Sequence, residues 1–147
     1  MNAADQARTL EITQAIATAA GLFRQQFPAA KANLNPWRDD PLTRQFQERE
    51  SIDLAFHFPG WSPRLQCRSL LVQLRLAQRP ERGSTERPRL LGVLISGMTF
   101  HGEQWRLATV GAWEPNGSLL PEAAVVTKLQ TFCRELFELF EGERLAA

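Results

Sequence analysis

The sequence predicts an α+β domain: an antiparallel meander of about four strands packed with an N-terminal and a C-terminal amphipathic helix. Three observations carry this. Apolar residues recur at helical spacing near both ends of the chain. Between them, over residues 51–113, the apolar period falls from about 3.6 to 2, the period of a half-buried strand. The links between these alternating runs are short, which favours hairpins over the long crossovers that parallel pairing needs. At 147 residues the chain is long enough for one domain with a real core and too short for two, so residues 1–147 are read as one unit.

The first helix is predicted over residues 5–27. Ile12, Ile16, Ala19, Ala20, Phe23 and Phe27 fall on one face, and Pro28 ends the run. The stretch PAAKANLNPWRDD reads as irregular, with Asn35-Pro36 marking a turn. Asp40 followed by Pro41 is the pairing of an N-cap with a first-turn proline, which predicts a short helix over 41–47 burying Leu42 and Phe46.

SIDLAFHF opens the strand region. Ile52, Leu54, Phe56 and Phe58 alternate with Ser51, Asp53, Ala55 and His57. In the following FHFPGWSPRLQCR, Pro59-Gly60 and Pro63 bracket a hairpin-like turn with Trp61 at its tip and Arg64 beside it. LQCRSLLVQLRLAQ sends Leu70, Val72, Leu74 and Leu76 inward. Gln66 and Arg68 share that parity, so a bulge near Ser69 is expected to switch the inward face. RPERGSTERPR is a polar loop without an apolar anchor.

The third strand, RLLGVLISGMTF, is apolar on both faces. Leu91, Val93 and Ile95 line one, and Leu90, Leu94, Met98 and Phe100 the other, the pattern of a central strand covered on both sides. HGEQ is a tight turn into the fourth strand, WRLATVGAW, and EPNG leads to a last helix over 121–141 with Pro121 early in it. Val125, Leu129, Phe132, Cys133, Leu136, Leu139 and Phe140 form its apolar stripe.

This order sets a covering problem. Two helices can cover one face of a four-stranded sheet, yet the third strand is apolar on both faces. The fourth sets Trp105, Leu107 and Trp113 opposite Ala108, Val110 and Ala112. Burying a large apolar side chain is worth roughly 1.5–3 kcal/mol, so a second apolar face left in water is costly. Three arrangements solve it: helices on opposite faces, a sheet curled around a helix, or a second face that meets a partner.

Composition excludes several classes. A formal net charge of +1 supplies no broad field for nucleic acid or an anionic membrane. Lys31 and Lys128 are the only lysines among 17 basic residues, a bias that suits a GC-rich bacterial genome more than any chemistry. MNAADQARTLEI lacks the basic and apolar regions of a secretory signal, and no apolar run approaches the ~18 residues that span a membrane. The expectation is a cytoplasmic protein. Cys67 and Cys133 are too few and too separated for a zinc motif, so no metal and no cofactor is expected.

Catalytic motifs are also missing. GVLISGMTFHG has neither the lysine of a P-loop nor the spacing of a dinucleotide fingerprint, and its glycines suit close packing. Asp53 and His57 share a strand face but lie about 13 Å apart along it, so they could line one pocket without pairing directly. His101 stands beside Glu103 in the HGEQ turn. These three residues define an alternative reading, a pocket in a curved sheet for a small ligand or simple acid/base chemistry. In the 79–89 loop, Glu81 and Glu86 dilute Arg79, Arg82, Arg87 and Arg89, and there is no aromatic residue to stack on a base.

The leading expectation is therefore a non-enzymatic interaction module, an adaptor, assembly factor or regulator. It would bind a protein partner or a second copy of itself through an apolar sheet face and turn tryptophans. Trp61, Arg64, Trp105 and Trp113 are its candidate contact residues.

Overall fold

The computed structural model describes residues 1–37, 51–77 and 89–141. Its elements are α1 (Ala3–Gln6), α2 (Leu10–Gln26), β1 (Lys31–Asn33), β2 (Ser51–Ser62), β3 (Cys67–Leu76), β4 (Leu90–Thr99), β5 (Gly102–Ala108), β6 (Pro115–Gly117) and α3 (Ala123–Glu141). The strands form one six-stranded antiparallel sheet in sequence order, β1 through β6. The predicted α+β class holds, with two short edge strands added to the four of the meander. The predicted 41–47 helix and most of the Arg-rich loop lie outside the described residues.

Edge strands of three residues explain why pattern reading missed β1 and β6. A strand that short shows no alternation. It also leaves little backbone open for pairing with another chain, and Pro115 removes a donor at one edge. The first helix breaks in two because Thr9 caps the second piece. Its backbone is extended and its hydroxyl accepts the N–H of Ile12 at 3.2 Å.

Both long helices lie on one face of the sheet, which answers the first half of the covering problem. Phe23 of α2 stacks on Phe56 of β2 with centroids 3.8 Å apart, and meets Phe132 of α3 edge-on at 5.1 Å. The predicted stripe of α3 is buried residue for residue, as are Ile12, Ile16, Ala19 and Phe23 of α2. Ile52, Leu54, Leu70, Val72, Leu74, Val93, Ile95, Trp105 and Leu107 complete this core from the sheet side. Cys67 and Cys133 are both free thiols in it.

The second face is not the apolar surface that the sequence suggested. Across β2, β3 and β4 it carries buried Ser51, Asp53, Gln73 and Ser96 between half-buried Leu71, Leu94 and Met98. Bulges account for the difference in β4. Arg75 pairs with Gly92 but Leu76 with Leu90, so the register slips there: Leu90 is buried and Leu91 is left exposed. The parity switch expected near Ser69 also occurs, between inward Cys67 and inward Leu70. The irregularity that produces it sits in the facing strand. His57 pairs with Ser69 and Ser62 with Cys67, so residues 58–61 of β2 stand opposite Arg68 alone.

Two further boundaries shift. β2 runs through Pro59-Gly60 to Ser62, and the turn is made by residues 63–66, with Gln66 at φ 54°. β5 ends at Ala108; the chain then turns and returns as β6 from within the predicted EPNG turn, with Trp113 at φ 58°.

Candidate functional site

In a meander, alternate connections lie at the same end of the sheet. The β2–β3 turn (63–66) and the β4–β5 turn (Phe100-His101) therefore share one end, and β6 also finishes there. From β6 the chain crosses this end to reach α3. Ser118 N–H donates to Gln104 O at 2.9 Å on one side of the crossing, and Glu122 N–H donates to Arg64 O at 2.7 Å on the other. Three short segments are thus gathered at one end of the sheet, referred to below as the loop end.

Each segment presents large apolar side chains to solvent. Trp61 is 53% exposed, Phe100 102%, and Leu119 and Leu120 48% and 52%. A single exposed leucine calls for no explanation, but a cluster of this kind marks an interaction site or an aggregation hazard. None of these exposures comes from a loose tip. Thr99 pairs with Gly102 to close the Phe100-His101 turn, and Thr99 Oγ1 accepts His101 N–H at 3.2 Å and Gln104 Nε2–H at 3.0 Å. Gly102 takes the positive φ that this tight turn requires, 105°. In the β2–β3 turn, Gln66 N–H donates to Ser62 O at 2.8 Å and Gln66 Nε2–H to Pro63 O at 3.0 Å.

Trp105 lies beneath this end, not on it. It is 1% exposed and its indole N–H donates to Leu65 O at 2.7 Å, tying the β2–β3 turn to β5. Gly97 makes room for the ring, since a Cβ at that position would come within 2.3 Å of it. Trp105 therefore has no surface to offer a partner; its role here is to hold the β2–β3 turn through Leu65. Trp113 sits at the opposite end of the sheet, half-buried and stacked on Phe137 at 5.9 Å. Of the four candidate contact residues, the structure brings Trp61 and Arg64 together and separates them from the other two. Sequence reading missed Phe100, Leu119 and Leu120. The available signal was three apolar residues in turn segments, Phe100 beside HGEQ and Leu119-Leu120 before a proline.

Charge is sorted along the same axis. Arg64 and Arg68 flank the β2–β3 turn, Lys31 opens β1, Arg24 is in the last turn of α2, and Lys128 Nζ lies 5.7 Å over the Phe27 ring. Among the described residues, the acids at this end are Glu122, ion-paired to Arg64 at 3.4 Å, and Glu103, paired to Arg106 at 3.1 Å. The opposite end carries Asp5, Glu11 and Glu114, with Glu135, Glu138 and Glu141 along the end of α3. Among the described residues there, Arg8, Arg75, Arg89 and Arg134 offset these only in part. Carboxylates in the last turn of a helix oppose its dipole, and that turn of α3 holds no basic residue. Among the described residues, charge is thus uneven along the sheet, with a basic loop end and more acids than bases toward the other end.

The three residues of the alternative pocket are not brought together. Asp53 is fully buried, and its Oδ2 accepts the Trp37 indole N–H and the Met1 ammonium, the latter at 3.0 Å. His57 is exposed in β2, and His101 is exposed at the loop end. Two of the surface hollows hold about 340 and 570 Å³, and neither is lined by any of the three.

His57 does meet a hydroxyl. Its Nδ1 lies 2.8 Å from Ser69 Oγ and its Nε2 3.4 Å from Asn33 Nδ2. The orientation of the amide decides what this contact can do. Asn33 Oδ1 is occupied by Asn35 N–H at 2.9 Å, so its NH₂ group faces Nε2 as a donor. A neutral His57 then keeps its proton on Nδ1 and donates to Ser69. A hydroxyl that accepts from an imidazole is not activated by it as a nucleophile.

The two thiols offer no better chemistry. Burial pushes Cys67 and Cys133 up to about 12 from an ordinary 9.0, which keeps the nucleophilic thiolate scarce at neutral pH. Among the described residues no group of His, Cys, Asp and Glu is placed to hold a metal ion, and no helix is long and apolar enough to cross a membrane.

The model of a family described as a domain of unknown function matches residues 4–142, and the chain belongs to that family. No curated protein and no solved structure matches it.

Proposed function

We propose that this member of the family is a non-enzymatic protein-interaction module that docks a protein partner through its loop end. It would act as an adaptor, assembly factor or regulator in the bacterial cytoplasm. One observation carries the reading: Trp61, Phe100, Leu119 and Leu120 are exposed at segments fixed by hydrogen-bonded turns, while an apolar core forms on the covered face. Tryptophan and arginine are the residue types most enriched among interface hot spots, and Trp61 with Arg64 supplies both. The His57–Ser69 contact points away from catalysis, and the buried charge of Asp53 is already engaged by Met1 and Trp37.

The test is affinity capture from an extract of the source organism, paired with size-exclusion chromatography and light scattering. Wild type should elute with a partner in fixed ratio. Trp61→Ser/Phe100→Ser should fold and lose that partner at least tenfold. A wild-type chain that stays monomeric at 16.6 kDa with nothing co-purifying would count against docking. A concentration-dependent dimer of the pure chain would identify the partner as a second copy.

A further inference from the structure

We infer that the docking face of the partner is acidic, with an apolar hollow that receives Phe100 and Trp61. This rests on the docking reading above and specifies the chemistry of the other side. The basic residues Arg64, Arg68, Lys31 and Lys128 stand around the same end of the sheet that presents the apolar tips. Among the described residues, most acids lie toward the other end, on α3 and in the β5–β6 turn. Ten-residue β3 separates the two ends by about 30 Å. Screening at physiological salt sets in over about 8 Å, so a partner at the loop end responds to the local basic charge and not to the net charge of +1.

Geometry sets the shape of the partner. Phe100 is 102% exposed at the tip of a two-residue turn, so it is a projection and needs a cavity on the other side. Residues 58–61 stand opposite Arg68 in the register, so Trp61 and this cation belong to the same irregular stretch of the β2–β3 pair. A basic collar around apolar projections is complementary to a carboxylate-rimmed apolar hollow, with steering from the charges and residence time from the rings. A second copy meeting loop end to loop end would bring like charges together. A self-complementary dimer through this surface is therefore disfavoured.

The experiment is in-cell photocrosslinking in the source organism, with p-benzoylphenylalanine replacing Phe100. The same group replacing Leu10, which is 67% exposed at the other end, serves as the control. The result expected is a protein adduct from position 100 and none from position 10, mapping beside Asp and Glu residues of the partner. Arg64→Glu/Arg68→Glu should reduce it at least tenfold. Lys31→Glu/Arg68→Glu repeats the test without touching the Glu122 pair, and melting curves check that both variants fold. An adduct unchanged by both reversals overturns the acidic partner and leaves docking at the loop end intact. No protein adduct at position 100, or crosslinks to lipid only, overturns both.

Discussion

The helix-covered face of the sheet and its loop end are built from the same kinds of side chain and treat them in opposite ways. On the covered face, Phe23, Phe56, Phe132 and Trp105 are enclosed, at 0% or 1% exposure. At the loop end, Trp61 and Phe100 stand in water. The chain had a core available and did not use it for these rings. Hydrogen bonds accepted by Thr99 Oγ1 and donated by the Gln66 and Glu122 N–H groups fix the turns beside them. Local structure holds these rings out of a core that is built from other side chains.

The contrast breaks most severely from below. Trp105→Ala removes the largest fully enclosed side chain and leaves the Leu65 carbonyl without its donor. It should cost about 3–5 kcal/mol, read as a fall in the urea midpoint, and lower partner capture as well because the β2–β3 turn loses its tie. Gly97→Ala should cost about 1–3 kcal/mol by the same route, since the new methyl meets a packed indole ring with no room to shift.

The buried thiols sharpen the comparison through pH. Folding holds both near 12 against an ordinary 9.0, so the unfolded chain releases these protons first. Their contribution to stability is complete below pH 9 and declines as pH rises toward 12. Denaturation midpoints at pH 8 and pH 10.5 should differ in that direction, and Cys67→Ala/Cys133→Ala should flatten the dependence. A thiol reagent at pH 8 should label the native chain only as it unfolds. The smallest structural effect belongs to the loop end itself: Phe100→Ser should shift stability by less than about 0.5 kcal/mol.

The parts of the fold legible in the sequence were those with long periodic patterns. The buried stripe of α3 and the alternation of β2 could be read directly, because each residue reports the same core. Edge strands of three residues carry no period. The register slips that expose Leu91 arise from how two strands meet, which no single strand encodes. The site was half legible. Trp61 and Arg64 stood out as a large ring and a cation beside a turn, whereas Trp105 looks the same in sequence and is distinguished only by the glycine its ring lies against. The alternation predicts Phe100 on a strand face, whereas the two-residue turn leaves it on neither face. Charge segregation was hidden altogether, because a sum over the chain erases direction.

The central claim is that the apolar side chains of the loop end are surplus to folding. The direct measurement is the unfolding free energy of Trp61→Ser/Phe100→Ser against wild type, from urea titration with both chains at the same pH and salt. The account predicts a loss below about 1 kcal/mol, set by the buried part of the exposed Trp61 ring. A loss of about 3 kcal/mol or more, the range of an enclosed aromatic, would contradict it by placing these rings in the core.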